Sequence, residues 1–343
     1  MKGSQSSYYD KQYSVDNPVS YVLLSVAPLL LWTIGYKSSA GYPLRHDASS
    51  TPLWEFICLT MTDKTVIYIA GALLTVGSAL LLFRTNYLLM LIREKTIMPF
   101  LLFILFVSSD TAGFPLNSAT AGVLCLTLAF YQLFVSYHDS GAILRAFNVG
   151  LLLGLGSLLW THVLWFVPVF WWGMYSFNTL SLRTFLATVA GAGAIYWFLL
   201  GWYVIRHDFT PLDIRFDTLP ETVADQGGVR ALEWAKLLFV AFLSVISIAN
   251  ILLHEHDDSL RTRKYLFFLI VFLTITSVLF FLYDQFSGEF LNIACIPMSI
   301  LVAHFFTVQK GKRILWFYYT MIVTFILLSL FSSSWIFLLN MGI

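Results

Sequence analysis

The first polar stretch of the chain, residues 37–64, contains side chains that could carry out acid–base chemistry. Arg45, His46 and Asp47 are consecutive, and Glu55 follows. A carboxylate can act as a general base, and an arginine can bind a lipid phosphate through paired hydrogen bonds. The stretch is therefore a candidate active-site loop, with Asp47 and Glu55 as catalytic groups and Arg45 and His46 as substrate ligands. The alternative is a solvated loop that a tryptophan anchors to the membrane.

The second polar stretch, residues 206–234, is rich in dispersed acidic side chains. Arg206 and Arg215 lie among them and are candidate ligands for the phosphate of a substrate. A substrate lid and a polar connector are both consistent with this pattern. Bound Ca²⁺ or Mg²⁺ requires clustered oxygen ligands, and acidic residues spread this widely do not supply them. The sequence predicts no cofactor and leaves a divalent metal open.

Few other ionisable residues interrupt the apolar parts of the chain. Asp110 ends a short apolar run and is a candidate substrate-binding residue, and His304 lies inside a longer run, where we expect a packing histidine. The tract HEHDD at residues 254–258 resembles a metal-binding sequence, but helical residues two apart point to different faces, so we predict a charged turn. The shortage of intramembrane charges argues against an ion-coupled transporter.

The composition places these residues in a membrane protein. Hydrophobic residues make up 58% of the chain and charged residues only 11%, whereas soluble proteins have about 25% charged residues. A water-soluble fold with so few polar residues could not cover its own surface, so lipid must be the solvent. The formal net charge of +1 provides no basic field for nucleic acid. The three cysteines lie in or beside apolar runs, and we expect them to be buried thiols.

The apolar runs predict an all-α, polytopic bundle of about eleven transmembrane helices, since roughly 20 residues cross a bilayer. Three of the runs are short, so the predicted count extends from about nine to about twelve. The predicted spans are residues 19–36, 65–83, 97–109, 120–137, 146–160, 162–177, 183–205, 235–253, 265–283, 290–308 and 314–339.

Lys and Arg in the links predict the orientation of the bundle. Basic links alternate with links that have almost no Lys or Arg, and basic links are usually cytoplasmic. This places the N-terminus in the cytoplasm and both long polar stretches on the outer face. Residues 1–17 then form a flexible cytoplasmic tail, and residues 18–343 form a single transmembrane domain. Alternatively, the first span is the apolar part of a cleaved signal peptide.

Two further patterns predict local packing. Residues 52–61 mix apolar and polar side chains and are too short to cross a bilayer, which favours a helix lying in the membrane interface. The small residues Gly150 and Gly154, and Ala187 and Gly191, are each four apart. Such spacing lets two helices approach closely, within this bundle or between two copies.

The middle of the chain resembles the membrane core of GT-C-type glycosyltransferases. The segment RAFNVGLLLGLGSLL, residues 145–159, is followed by a Trp/Phe-rich run through Phe177 and by Arg183, which opens a Gly/Ala-rich span. Together with the long loop after the first span, the resemblance covers residues 19–205. It implies an enzyme that uses a polyprenyl-phosphate-linked sugar, with Asp47, or less well Glu55, as the catalytic carboxylate.

A second resemblance is to an uncharacterised family of bacterial multi-pass inner-membrane proteins. It rests on the segment TPLWEF at residues 51–56, on residues 93–113 and on the span that contains Gly150. The leading hypothesis is an inner-membrane protein of cell-envelope biogenesis with GT-C-like glycosyltransferase activity. Its partners would be membrane lipids and a lipid-linked sugar. The alternative is a non-catalytic assembly factor that binds membrane-protein partners through its helix faces, and a transporter ranks third.

Overall fold

Twelve α-helices and one 3₁₀ segment make up the part of the chain that the structure, a computed structural model, describes. That part is residues 15, 17–38, 51–109, 116–139, 141–206, 227–254, 258–283 and 287–340. No strand occurs within it, so the prediction of an all-α fold is confirmed there. The helices are Pro18–Ser38 (α1), Pro52–Thr60 (α2), Lys64–Leu89 (α3), Met98–Ser108 (α4), Ser118–Val135 (α5), Ile143–Leu159 (α6), Val167–Ser176 (α7), Leu182–Arg206 (α8), Gly227–Leu253 (α9), Leu260–Leu282 (α10), Ser287–Val308 (α11) and Lys312–Asn340 (α12).

Eight of these helices are long and apolar enough to cross a membrane: α1, α3, α5, α8, α9, α10, α11 and α12. α4 and α6 are shorter apolar helices, and the 3₁₀ segment Thr161–Phe166 leads directly into α7. Lipid offers no hydrogen-bond partners, so the backbone N–H and C=O groups of each apolar run must bond to one another. A helix makes all of these hydrogen bonds within one segment. The chain is therefore an integral membrane protein.

Side-chain caps fix where several helices begin. The carboxylate of Asp63 accepts a hydrogen bond from the Thr65 amide at 3.0 Å and starts α3. Asn117 and Thr120 cap each other at the start of α5. The Ser259 hydroxyl accepts from the Thr262 amide at 3.2 Å and starts α10. Such caps satisfy amide groups that have no partner within the helix.

One end of the bundle is formed by the links between α3 and α4, α5 and α6, α7 and α8, α9 and α10, and α11 and α12. We call it the basic end, because Arg and Lys are concentrated there. Direct contacts join the helix ends and links there: Tyr265 of α10 donates to the Phe134 carbonyl of α5 at 2.7 Å, and Thr262 of α10 donates to the Met90 carbonyl at 3.4 Å. Because links distant in sequence touch one another, this end is tied together across the bundle.

The opposite end carries the short helix α2, and we call it the α2 end. Lys64 at the start of α3 donates to the Tyr36 carbonyl of α1 at 2.7 Å and lies over the Tyr36 ring. Trp160 after α6 packs against His162 and against Phe290 of α11, with ring centroids 4.8 and 5.0 Å apart. Polar and aromatic contacts thus both join the helices here.

The closest helix contact is between α6 and α8. A methyl group added at Gly150 would overlap the Thr188 backbone, and one at Gly191 would overlap the Phe147 carbonyl oxygen. The predicted small-residue spacing therefore brings two helices of this bundle together. Gly154 lies beside Ala192 as Gly150 lies beside Thr188, so the two helices run parallel. α8 consequently ends at the α2 end.

α9 begins at that same end. Asn250 in its last turn accepts a hydrogen bond from Gln309, which follows α11, at 2.8 Å, and this contact lies at the basic end. The helix ends that flank residues 39–50 and 207–226 therefore all lie at the α2 end, although those residues themselves lie outside the described part of the chain, as does most of the predicted tail.

Candidate functional site

Most of the residues predicted to act on a substrate fall outside the part of the chain that the structure describes. Glu55 is described, and its side chain is exposed on α2. Arg206 is the last residue of α8, but its side chain is not described. The predicted residues outside the described ranges are Arg45, His46, Asp47, Asp110 and Arg215. Their proximity to one another remains a prediction.

α2 rests on the bundle through one face. Trp54 and Cys58 are buried in a small cluster with Ile67 of α3 and with Leu116, which precedes α5. Glu55, the neighbour of Trp54, points away from this cluster and is exposed, as is the ring after it. The helix is nine residues long, which is too short to cross a bilayer, and its position in the membrane interface stays a prediction.

The structure brings together a second group of ionisable residues, at the basic end. Asp258 accepts a hydrogen bond from Arg93 Nε at 2.7 Å, and His304 Nε2 lies 3.2 Å from its other carboxylate oxygen. The side chains of Asp258 and His304 are only 2% and 1% exposed, whereas that of Arg93 is 37% exposed. We call these three residues the Asp258 cluster. It joins the link after α3, the link before α10 and the end of α11.

Local backbone structure sets each member in place. Met90 ends α3 in the left-handed conformation, with φ 51°, and turns the chain sharply. The Asn86 side chain then accepts from the Ile92 amide at 3.0 Å, which folds the link back and positions Arg93. Asp258 directly precedes Ser259, the residue that caps α10, so the start of that helix positions its carboxylate.

The charge environment keeps Asp258 ionised. Burial raises the pKa of the Asp258 carboxyl, but the nearby His304 and the Arg93 guanidinium lower it by more, so the net pKa lies below the ordinary value of 3.8. A carboxylate beside an imidazole is also an arrangement that orients a general base. Here both side chains are almost fully buried, and the arrangement ties three segments together.

A groove lies beside this cluster, between the end of α9 and the start of α10. Its volume is about 430 Å³. Arg263 and Lys264 line one end, and apolar side chains of both helices line the remainder. Lys264 donates to the Ser176 carbonyl at 2.6 Å, and Arg263 Nε donates to the Asp258 carbonyl at 3.0 Å. These bonds hold both cations at the groove.

Sequence reasoning missed the Asp258 cluster. His304 and the tract that ends at Asp258 were each recognisable, but the tract was predicted to be a charged turn. Residues 255–257 lie outside the described ranges, whereas Asp258 is buried and paired. The sequence signal for the cluster was His304, because a histidine inside an apolar run requires a polar partner. Among the described residues, no three His, Cys, Asp or Glu side chains come close enough to hold a metal ion.

Comparison with known proteins identifies a family and no activity. No curated protein matches the chain. A family model described as "Family of unknown function (DUF6427)" matches residues 51–338, which is most of the 343-residue chain. This match agrees with the expected membership of an uncharacterised family of membrane proteins. The chain, a bundle of apolar helices with a buried ionic cluster at one end, belongs to the DUF6427 family.

Proposed function

We propose that this protein is a GT-C-like glycosyltransferase that uses a polyprenyl-phosphate-linked sugar at the α2 end of the bundle. In this proposal it belongs to the bacterial inner membrane and serves cell-envelope biogenesis. Asp47 would act as the general base on an acceptor hydroxyl, with Glu55 as the second carboxylate. Arg45, His46, Asp110, Arg206 and Arg215 would bind the substrate, with the arginines on the donor phosphate.

The observation that carries the proposal is the position of α2. Trp54 is buried and fixes this helix to α3, and Thr51 just before it is also buried. Asp47 precedes Thr51 by a length of chain that spans at most about 14 Å. In this proposal the candidate base would act within that distance of Thr51, at the membrane surface where the phosphate of a lipid-linked donor would lie. A site with little water there would strengthen its electrostatic interactions.

The path of the chain supports the proposal further. If α4, α6 and the 3₁₀ segment with α7 each cross the membrane along with the eight long helices, the chain makes eleven passes. With eleven passes, both polar stretches share the α2 end, as the contacts of their flanking helices indicate. The Lys and Arg of the basic end support the proposal that this end faces the cytoplasm and the α2 end faces outward.

A non-catalytic assembly factor is the second candidate, and α8 favours it. Only 17% of its most apolar window is buried inside the bundle. Trp197, Phe198 and Trp202 are exposed on it. Large aromatic side chains at the surface of a transmembrane helix can face lipid or pack against a partner helix.

The substitution Asp47→Asn tests the enzyme proposal in the source organism. We expect normal abundance of the protein in membranes and accumulation of the unused lipid-linked sugar, measured by mass spectrometry of extracted lipids. Asp139→Asn is the matched control, because Asp139 is exposed at the basic end. Normal lipid-linked sugar and normal envelope glycan in the Asp47→Asn strain would overturn the catalytic role. An assembly factor would instead tolerate this change and still purify with its partner.

A further inference from the structure

One side of α8 carries an open row of side chains along most of the helix. Thr188 and Gly191 contact α6, and Gly193 lies about 200° further round the helix than Gly191, because each residue turns the chain by about 100°. The row lies on this far side, and its members are spaced alternately four and three residues apart. All of them are exposed: Leu186, Ala190, Gly193, Trp197, Leu200 and Val204. The same spacing forms the seam between two helices of a coiled coil.

The shape of this row is complementary to a second copy of itself. A methyl group added at Gly193 would meet no atom within 4 Å, so the helix backbone is open there. Trp197, one turn away, is 75% exposed. The row therefore has a hollow beside a large projecting ring. When two copies face each other across a twofold axis, the ring of each copy packs over the hollow of the other.

The exposed area of the row is large enough for a specific contact. Leu186 is 56% exposed, and Leu200 and Val204 are 45% and 46% exposed. Together with Trp197 they leave roughly 500 Å² open on each copy, and a pair of copies would bury roughly 1,000 Å², the size at which specific interfaces begin. In lipid, helices associate through van der Waals packing, and small residues such as Ala190 and Gly193 let two backbones approach closely.

α8 is also the helix with the most room for a neighbour. Among the eight long helices of the described part, it has the smallest buried share, 17%, whereas each of the others has at least 28%. Within the described residues, α6 is its one extensive helix contact. Copies that insert in the same orientation meet in parallel, and a twofold axis normal to the membrane then places equal positions of α8 opposite each other.

We propose that two copies of this protein form a dimer through the row on α8, with Trp197 of each copy packed over Gly193 of the other. The occupant of this face is then a second copy of the chain. The row lies outside both polar stretches, so the dimer does not depend on the glycosyltransferase proposal and holds equally for an assembly factor. The close contact with α6 on the opposite side of α8 keeps the row in place.

The test uses the full chain, purified in mild detergent and reconstituted into phosphatidylcholine vesicles at decreasing protein density. Half of the copies carry a donor dye at the N-terminus and half carry an acceptor dye, so that energy transfer measures dimers. We expect transfer that falls on dilution as a monomer–dimer equilibrium requires. Trp197→Ala should raise the dissociation constant about tenfold, because a large aromatic side chain at the centre of an interface carries much of the binding energy.

Phe198→Ala is the matched control. Phe198 is 76% exposed on the same helix but lies about 100° round from Trp197, off the row. We expect this variant to dimerise as the unaltered protein does. An equal loss in the two variants would overturn the row as the contact surface. Energy transfer no higher than random collisions at every density would show that lipid alone covers α8, and would overturn the dimer.

Disulfide cross-linking locates the contact without removing the Trp197 ring. Equal positions lie opposite each other across the twofold axis, so Ala190→Cys should give a covalent dimer when the vesicles are oxidised. Phe198→Cys should not, and the three native cysteines are buried. Absence of the Ala190→Cys link in vesicles that show energy transfer would place the contact elsewhere and overturn the proposal. Asp47→Asn should dimerise normally, so the dimer and the enzyme proposal can fail separately.

Discussion

The two ends of this bundle share aromatic packing but differ in their buried ionic contacts. At the basic end, charged and hydroxyl side chains bond to the backbone or carboxylate of another link, as Arg93 does to Asp258 and Lys264 to Ser176. Aromatic rings pack at both ends, for example Phe134 on Tyr265 at the basic end and Trp160 on Phe290 at the α2 end. Among the described residues, the nearly fully buried ion pair of Asp258 belongs to the basic end, so that end depends on ionisation in addition to packed apolar area.

The largest expected effect is at the aromatic contact of the α2 end. Trp160→Ala removes a fully buried ring and should lower the free energy of unfolding by about 3–5 kcal/mol. Thermal unfolding in detergent measures this loss. Trp316→Ala, which removes a ring that is 64% exposed, should change it by about 0.5 kcal/mol or less. Equal effects of the two changes would contradict the importance of packing at this end.

Asp258→Asn should have the next largest effect, at the basic end. It keeps the shape of the side chain but removes the charge that Arg93 and His304 face. Breaking a buried ion pair costs about 3–5 kcal/mol, and we expect about 3 kcal/mol because Arg93 remains partly exposed. Glu94→Gln is the control on the same link, because Glu94 forms an exposed pair with Lys310 and should contribute under about 1 kcal/mol. A neutral Asp258→Asn would show that the cluster does not stabilise this end.

The smallest expected effect is a difference in pH dependence between the two ends. Because the folded pKa of Asp258 lies below its ordinary value, its stabilisation is complete above about pH 4 and is lost as the pH falls through the folded pKa. The difference in melting temperature between the unaltered protein and Asp258→Asn should therefore shrink as the pH falls below about pH 4. The difference caused by Trp160→Ala should show no such trend. A constant difference for Asp258→Asn at every pH would contradict an ionised, stabilised carboxylate.

Much of the helical path could be predicted from sequence because the bilayer simplifies the problem. An apolar run must form a helix in lipid, so its ends can be read from the hydrophobic pattern. The run at residues 97–109 corresponds to Met98–Ser108, and the predicted interfacial segment 52–61 corresponds to Pro52–Thr60. The predicted run 162–177 divides into the 3₁₀ segment and α7, where Pro168 lies in the first turn and lacks an amide hydrogen.

The contacts between residues distant in sequence could not be predicted from the hydrophobic pattern. His304 and Asp258 meet only because α11 ends beside the start of α10, and hydrophobicity does not determine which helices adjoin. The glycines at 150 and 154 were recognisable as a close-contact pattern, but their partners Thr188 and Ala192 on α8 are known only from the packed structure. The candidate catalytic residues stay predictions, since the structure does not describe most of them.

The glycine contact between α6 and α8 has a mechanical consequence. Backbones that touch directly, as at Gly150 and Gly191, leave no flexible side chains between them to absorb a displacement. α8 packs mainly on α6 and is otherwise largely exposed. We therefore expect the pair to tilt as one rigid lever. A displacement of α8 at Arg183 would therefore be transmitted in full to Arg206, at the other side of the bilayer.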